Sequence, residues 1–307
     1  MKKLINDILK FNGIFIIGNI LLLVGTIVLE KNIISFNIPS DKTVLVIGTS
    51  QVASAINDDI LTNTFNFSDN GSGYFYTYLK IRKILEHNPQ IDTVVIGYSY
   101  LDIKKYRDEW VGKATMLKFK MPQHLFLFDF SDFYFLYISN PYEVLINIHR
   151  TTLQGIKHII KYLLSSHSLD SWGGFDDSME ADKLQESKNR HIACKKIEKV
   201  EYSKYQEEYL LKIYSLVMAK NVNLILLNVP IHPMLKEEQK EYTKYYYLLA
   251  QQKLSKATII NHANMDIPEY GFFDLVHLNY EGAKLYSEYL KEHNFLSESH
   301  PSDYNSD

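Results

Sequence analysis

Three short stretches of this chain hold residue types that can move a proton and take up an acyl group. Gly48-Thr49-Ser50 closes the apolar run TVLVI. A serine at a strand-to-helix turn projects from the sheet edge, and its backbone N–H lies near a helix N-terminus, ready to hold an oxyanion. Serine is also a common helix cap, so a capping role for Ser50 stays open. Asp274-Leu275-Val276-His277 stands just before the last helical segment. A carboxylate spaced this way from a histidine on a turn can accept from the imidazole Nδ1–H. That fixes the tautomer and leaves Nε2 as a general base toward a hydroxyl. The plainer alternative is a surface Asp and His beside the closing helix, with Asn279 as its cap. Gly71 in NFSDNGSG and Ser99 in VVIGYS are candidate oxyanion donors. Glycine lets backbone approach a reacting carbonyl closely, and a serine hydroxyl donates. Both also suit ordinary turns.

Residues so far apart along the chain can meet only if strands and helices carry them to one edge. TVLVIGTS reads as a buried parallel strand feeding a turn, and QVASAINDDIL follows with helical spacing. FNFSDNGSG is a short strand and a glycine loop, YFYTYLKIRKILEHNP a helix closed by Asn-Pro, and DTVVIGYSYLD a second strand-then-turn. The rhythm breaks over about 103–195, an aromatic stretch with a helix at PYEVLINIHRTTLQGIKHIIKYLL. An insertion after a strand's C-terminal end often forms a lid or substrate wall. The pattern resumes with a helix, the strand NLILLNVPIHP, a helix, the strand ATIINHA and the closing helix NYEGAKLYSEYLKEH. This alternation predicts an α/β three-layer sandwich with a mostly parallel sheet.

A strand–GxS–helix near the start and DxxH before the final helix resemble the SGNH (GDSL-like) hydrolase superfamily over about residues 43–295. The resemblance implies Ser50 as nucleophile, with Asp274 and His277 completing a Ser-His-Asp triad. It also implies Ser50, Gly71 and Ser99 around the oxyanion. The family's third block reads Gly-x-Asn, whereas this chain has Gly97-Tyr98-Ser99, so one donor is weakened or replaced. A narrower resemblance is to membrane-anchored SGNH-like proteins of O-acyl or D-alanyl transfer to cell-envelope polymers. It rests on the anchor, on Gly-x-Ser in place of Gly-Asp-Ser, and on the NVPIHP and SWGGF segments. It implies a cell-envelope glycan or polymer as substrate and a membrane-bound O-acyltransferase as partner. Thr49, Tyr98 and His232 are then candidate substrate contacts, although a histidine between Ile and Pro can equally shape its loop.

Residues 13–29 read GIFIIGNILLLVGTIVL, long enough to cross most of a hydrocarbon core of about 30 Å. Lys2, Lys3 and Lys10 precede the run and only Lys31 follows closely, which predicts a cytoplasmic N-terminus and an extracytoplasmic main domain. No A-x-A-like site follows Leu29, which favours an uncleaved anchor over a signal peptide. The run is apolar on nearly every side, which favours lipid over one core face. The reading divides the chain into a cytoplasmic stub and anchor (1–31), a linker (32–42), the SGNH-like domain (43–295) and a disordered tail (296–307).

A net charge of -3 argues against a nucleic-acid partner. The single Cys194 excludes an intramolecular disulfide, a CxxC redox pair and a cysteine-rich zinc site, and with no recognisable nucleophile context in HIACKKIEK it reads as structural. The many tyrosines and phenylalanines between about 98 and 145 read as core and partner-facing surface before a sugar-stacking one. No HExxH, His-x-His, GxxxxGK[ST] or GxGxxG pattern is present, so neither metal nor nucleotide cofactor is expected. Three functions stay open: a serine acyltransferase or carbohydrate esterase, a non-catalytic SGNH-like scaffold that binds a polymer or an acyltransferase, and a generic anchored α/β binding protein whose motifs are accidental.

Overall fold

In the computed structural model, residues 2–112, 114–164, 174–179, 183–193 and 201–296 are described. Five short strands, β1 (Val44–Ile47), β2 (Thr64–Asn66), β3 (Thr93–Gly97), β4 (Asn223–Asn228) and β5 (Thr258–Asn261), form one parallel sheet in the order β2-β1-β3-β4-β5. The strands β1, β3 and β4 are short, mostly apolar runs (VLVI, TVVIG and NLILLN), as a parallel sheet covered on both faces requires. Alternate residues serve alternate faces. Val44, Val46, Val95, Ile225 and Leu227 share one core cluster with Val52, Tyr286 and Leu290, while Leu45, Ile96 and Leu226 are equally buried.

The helices are α1 (Lys2–Ile33), α2 (Ser50–Ala55), α3 (Tyr74–His87), α4 (Glu109–Gly112), α5 (Ala114–His124), α6 (Phe130–Ser139), α7 (Pro141–Leu164), α8 (Leu184–Ala193), α9 (Lys204–Ala219), α10 (Lys236–Lys253) and α11 (Tyr280–Glu292). On one face Ser287 of α11 ties to the end of α2: its hydroxyl donates to Ala55 O at 3.4 Å and accepts from Asn57 N, just beyond the helix, at 2.9 Å. On the other, Phe75 of α3 meets Tyr209 of α9 edge-on at 5.0 Å, and Gln206 Oε1 accepts from Tyr74 N at 2.7 Å. This is the expected three-layer α/β sandwich. The reversal of strand order at β1/β3 opens a crevice at the carboxyl ends of those two strands.

Helix α2 is shorter than its spacing predicts. Ile56 leaves the helix because its carbonyl is taken by Asn66 Nδ2 at 2.8 Å, a bond to the edge strand that continued winding would break. The segment expected as a linker is tied down in part: Asn88 accepts from Ile38 N at 2.8 Å and donates to Phe36 O at 2.7 Å. Helices α5, α6 and α8, within the stretch that read as irregular, were not anticipated. Asp129 and Asp132 form a capping box at the start of α6 that the aromatic composition masks.

The chain forms two compact units. The sheet unit comprises Phe36–Asp108 and Asp170–Asp307. The helical unit comprises Met1–Ser35 and Glu109–Leu169, so α4–α7 group with α1 rather than with the sheet. Within it, Gly155 lets α7 approach α1: a Cβ there would lie 2.4 Å from Thr26 Cγ2. Lys31 pairs with Asp129 at 2.9 Å. Helix α1 is long and apolar enough to cross a membrane. Cys194, residues 171–173 of the SWGGF segment and 297–307 of the tail lie outside the described residues.

Candidate active site

Ser50 is the first residue of α2, directly after β1. Thr49 holds the capping position, with extended backbone and no side-chain cap bond. The Ser50 hydroxyl is therefore free of the capping role and points elsewhere: it lies 2.8 Å from His277 Nε2. Two glycines allow this packing. A Cβ on Gly48 would meet Val52 Cγ2 at 2.9 Å, and one on Gly97 would meet it at 2.5 Å. The ends of β1 and β3 can thus lie under the first turn of α2 only because both residues lack a side chain.

His277 is carried by a tight loop before α11. Phe273 N donates to His277 O at 3.0 Å, and Phe272 pairs with Leu278. The loop rests on α11 through two glycines, since a Cβ on Gly282 would lie 2.0 Å from Gly271 O. Asn279 caps α11, accepting from Gly282 N at 3.1 Å. Asp274 Oδ1 accepts from Val276 N at 2.8 Å and His277 N at 2.9 Å, and both carboxylate oxygens lie 3.0 Å from His277 Nδ1. Burial opposes the Asp274 charge, but donation from His277 and the two backbone amides outweighs it and holds the carboxyl below its ordinary range. An acceptor-only carboxylate on Nδ1 places the imidazole proton there, leaving the Nε2 lone pair toward Ser50. Side-chain exposures of 17% for His277 and 22% for Asp274 leave the group reachable from solvent.

Gly71 lies in a left-handed turn (φ 68°), which glycine adopts without strain. Its loop is drawn to the end of β1: Asp69 N donates to Gly48 O at 3.2 Å. Beneath it, Lys80 reaches Asp69 Oδ2 at 2.9 Å and donates to Phe67 O at 3.0 Å, nearly sealed from water. A strap at 174–178, whose signal in the sequence was only the glycine pair of SWGGF, closes the other side. Gly174 N donates to Asn66 O at 2.6 Å, Asp176 N to Ala53 O at 3.0 Å, and Asn70 Nδ2 to Asp176 Oδ2 at 2.9 Å. Burial disfavours the Asp176 charge. Donation from Ser178 and Asn70, together with the facing His277, prevails and keeps its carboxyl low.

Other candidates are placed differently from expectation. Ser99 is buried, and its hydroxyl is turned inward, 2.7 Å from Asp102 Oδ2 and 3.0 Å from Gln51 Oε1, rather than toward a substrate oxygen. Tyr98 is sealed in the core, stacked on Tyr246 at 4.1 Å and donating to its carbonyl at 2.7 Å, so its ring offers no substrate surface. Burial pushes its phenol far up. Thr49 is buried. His232 shapes its loop: Nδ1 accepts from Met234 N at 3.2 Å, its own N–H donates to Leu275 O at 3.0 Å, and its ring abuts Phe272. Burial and then Lys188 lower its pKa. Gln51, Asp102 and Asp176 were missed. Each is an unremarkable polar residue in sequence, and only the fold gives it a neighbour.

One protein-family model matches residues 175–296, from the strap to the end of the described chain. No curated protein sequence matches the chain. Among solved structures, a protein provisionally named a platelet activating factor from Streptococcus pneumonia is similar over 94% of this chain and 98% of its own, with 10% identity and a TM-score of 0.43. A GDSL-like lipase from Bacteroides thetaiotaomicron VPI-5482 is similar over 86% of this chain and 93% of its own, with 13% identity and a TM-score of 0.38.

Proposed function

We propose that the chain is a membrane-anchored serine acyl-transfer protein, an O-acyltransferase or esterase acting outside the membrane on a cell-envelope glycan or polymer. One observation carries the reading: Ser50 Oγ, His277 and Asp274 stand in hydrogen-bonded series at 2.8 and 3.0 Å. Ser50 Oγ attacks the acyl carbon while His277 Nε2 takes its proton. The carbonyl oxygen becomes an oxyanion held by backbone N–H groups of Ser50 and Gly71. As the C–O bond to the leaving group breaks, His277 returns the proton to that oxygen, leaving acyl-Ser50. Water or a sugar hydroxyl then resolves the ester, with His277 again as base. Lys2, Lys3 and Lys10 keep the N-terminus of α1 inside, and a membrane-bound O-acyltransferase is the partner that the anchor suits.

A fluorophosphonate probe tests the reaction. Ser50 is expected to become labelled, and labelling is expected to vanish in Ser50→Ala and to fall sharply in His277→Ala. Equal labelling of the wild type and His277→Ala would sink the mechanism. The inward-facing Ser99 favours a second reading, a non-catalytic scaffold that binds polymer or acyltransferase, and a wild type inert to the probe would select it.

A further inference from the structure

Behind the candidate nucleophile runs a buried chain of polar side chains that the acyl-transfer steps do not use. Gln51, the residue after Ser50, is 4% exposed. Its Nε2 donates to Val276 O at 3.3 Å, and Val276 immediately precedes His277. Its Oε1 lies 3.0 Å from Ser99 Oγ, at the end of β3. Ser99 Oγ in turn lies 2.7 Å from Asp102 Oδ2, and Ser99 N donates to that same oxygen at 3.0 Å. One amide therefore spans the three segments that build the site: the turn after β1, the turn after β3 and the loop that carries Asp274 and His277.

Counting protons fixes the direction of this chain. Ser99 Oγ has one hydrogen and faces two oxygens, Gln51 Oε1 and Asp102 Oδ2. If Asp102 is ionised, the Ser99 proton goes to it, and Gln51 Oε1 is left 3.0 Å from an oxygen lone pair with no donor, a cost buried amides avoid. Flipping the amide only moves the conflict, because its oxygen would then face Val276 O. If Asp102 carries the proton, every contact has one donor and one acceptor. Asp102 donates to Ser99, Ser99 to Gln51, and Gln51 to Val276. Burial raises the Asp102 pKa from its ordinary value, while Arg107, the Ser99 donations and Thr49 oppose that rise. Arg107 Nη2 pairs with the other carboxylate oxygen, Asp102 Oδ1, at 3.4 Å, with both side chains nearly sealed from water.

We propose that Gln51 is a positioning residue that clamps the His277 loop to the nucleophile turn, held in its orientation through Ser99 by a protonated Asp102. The proposal rests on the reading of Ser50 and His277 as the reacting pair. A second strand end is thereby joined to the site through a hydroxyl and an amide, without a side chain from β3 touching the substrate.

The test uses the full chain in detergent micelles, with two readouts. Hydrogen exchange of the amides of residues 274–278 reports the clamp whether or not Ser50 reacts. The rate of fluorophosphonate labelling reports its consequence. Gln51→Leu is expected to speed exchange in that loop and to slow labelling about ten- to a hundredfold, since small misplacements of reacting groups cost that much. Its thermal unfolding temperature serves as the check on folding. Asp102→Asn, which keeps a neutral donor, is expected to leave the loop exchange slow, whereas Asp102→Ala speeds it. Unchanged exchange in Gln51→Leu overturns the clamp, and fast exchange in Asp102→Asn overturns the protonated Asp102. A wild type that never labels, with exchange accelerated in Gln51→Leu, removes the nucleophile reading while the clamp stands.

Discussion

In the sheet unit Leu45, Val46 and Ile96 are sealed, and polar groups such as Lys80 and Asp102 are buried with partners arranged around them. In the helical unit Phe130 is 87% exposed and Leu164 83%, and α1 shows apolar side chains along most of its length. Polar side chains there turn back onto their own helix: Thr26 Oγ1 donates to Leu22 O at 2.8 Å, Asn19 Nδ2 to Phe15 O at 2.8 Å and Thr152 Oγ1 to Ile148 O at 2.9 Å. The two units draw their stability from different sources. The first hides apolar surface from water and spends its few buried polar groups on shaping a site. The second satisfies its backbone within helices and leaves apolar surface outward.

The contrast can be broken most directly at the site itself. Ser50→Ala should remove probe labelling altogether while leaving the far-ultraviolet circular dichroism of both units unchanged; a loss of helix signal would mean that Ser50 is a structural cap after all.

Next in size is Lys80→Ala. It removes the buried cation beside Asp69 and the donor to Phe67 O, and should cost about 3–5 kcal/mol in denaturant unfolding of the sheet unit. A change below about 1 kcal/mol would place that pair among the weak surface bridges instead.

In the helical unit, Gly155→Val drives a side chain into Thr26 and should destabilise the α1–α7 packing by about 1–3 kcal/mol. Protease accessibility of α7 measures this, with the sheet unit's unfolding unchanged.

The Asp274 carboxyl is held below its unfolded value of about 3.9. Its stabilising effect should be full above that pH and lost as the pH falls through the lower folded value. The stability difference between wild type and Asp274→Asn should therefore be flat at neutral pH and shrink in acid; a difference that grows in acid would reverse the assignment. Smallest of all, Phe130→Ser should change unfolding in detergent by no more than about 0.5 kcal/mol, since the ring is already exposed.

Much of this was legible from residue order. The strands VLVI, TVVIG and NLILLN announce themselves because a strand buried on both faces must be apolar throughout. Helices α7, α9 and α11 follow from their spacing, and the start of α11 from Asn279. Asp274 and His277 were readable because their contact is local, three residues apart. That α1 is long and apolar enough to cross a membrane was readable because apolarity on every side is a property of the run alone.

Tertiary structure decided the rest. Ser50 and His277 lie 227 positions apart, and only the crossing at β1/β3 and the Gly271–Gly282 contact bring them to 2.8 Å. The same holds for what failed. Tyr98 and Ser99 sit at the right place in sequence for a site, but the side on which each side chain emerges from the end of β3 sends one into α10 and the other toward Asp102. Residue type and spacing determine what a segment can become and which chemistry is available. Which groups meet, and which way a buried proton points, depends on contacts between distant segments, and those exist only once the sheet has closed and its helices have packed.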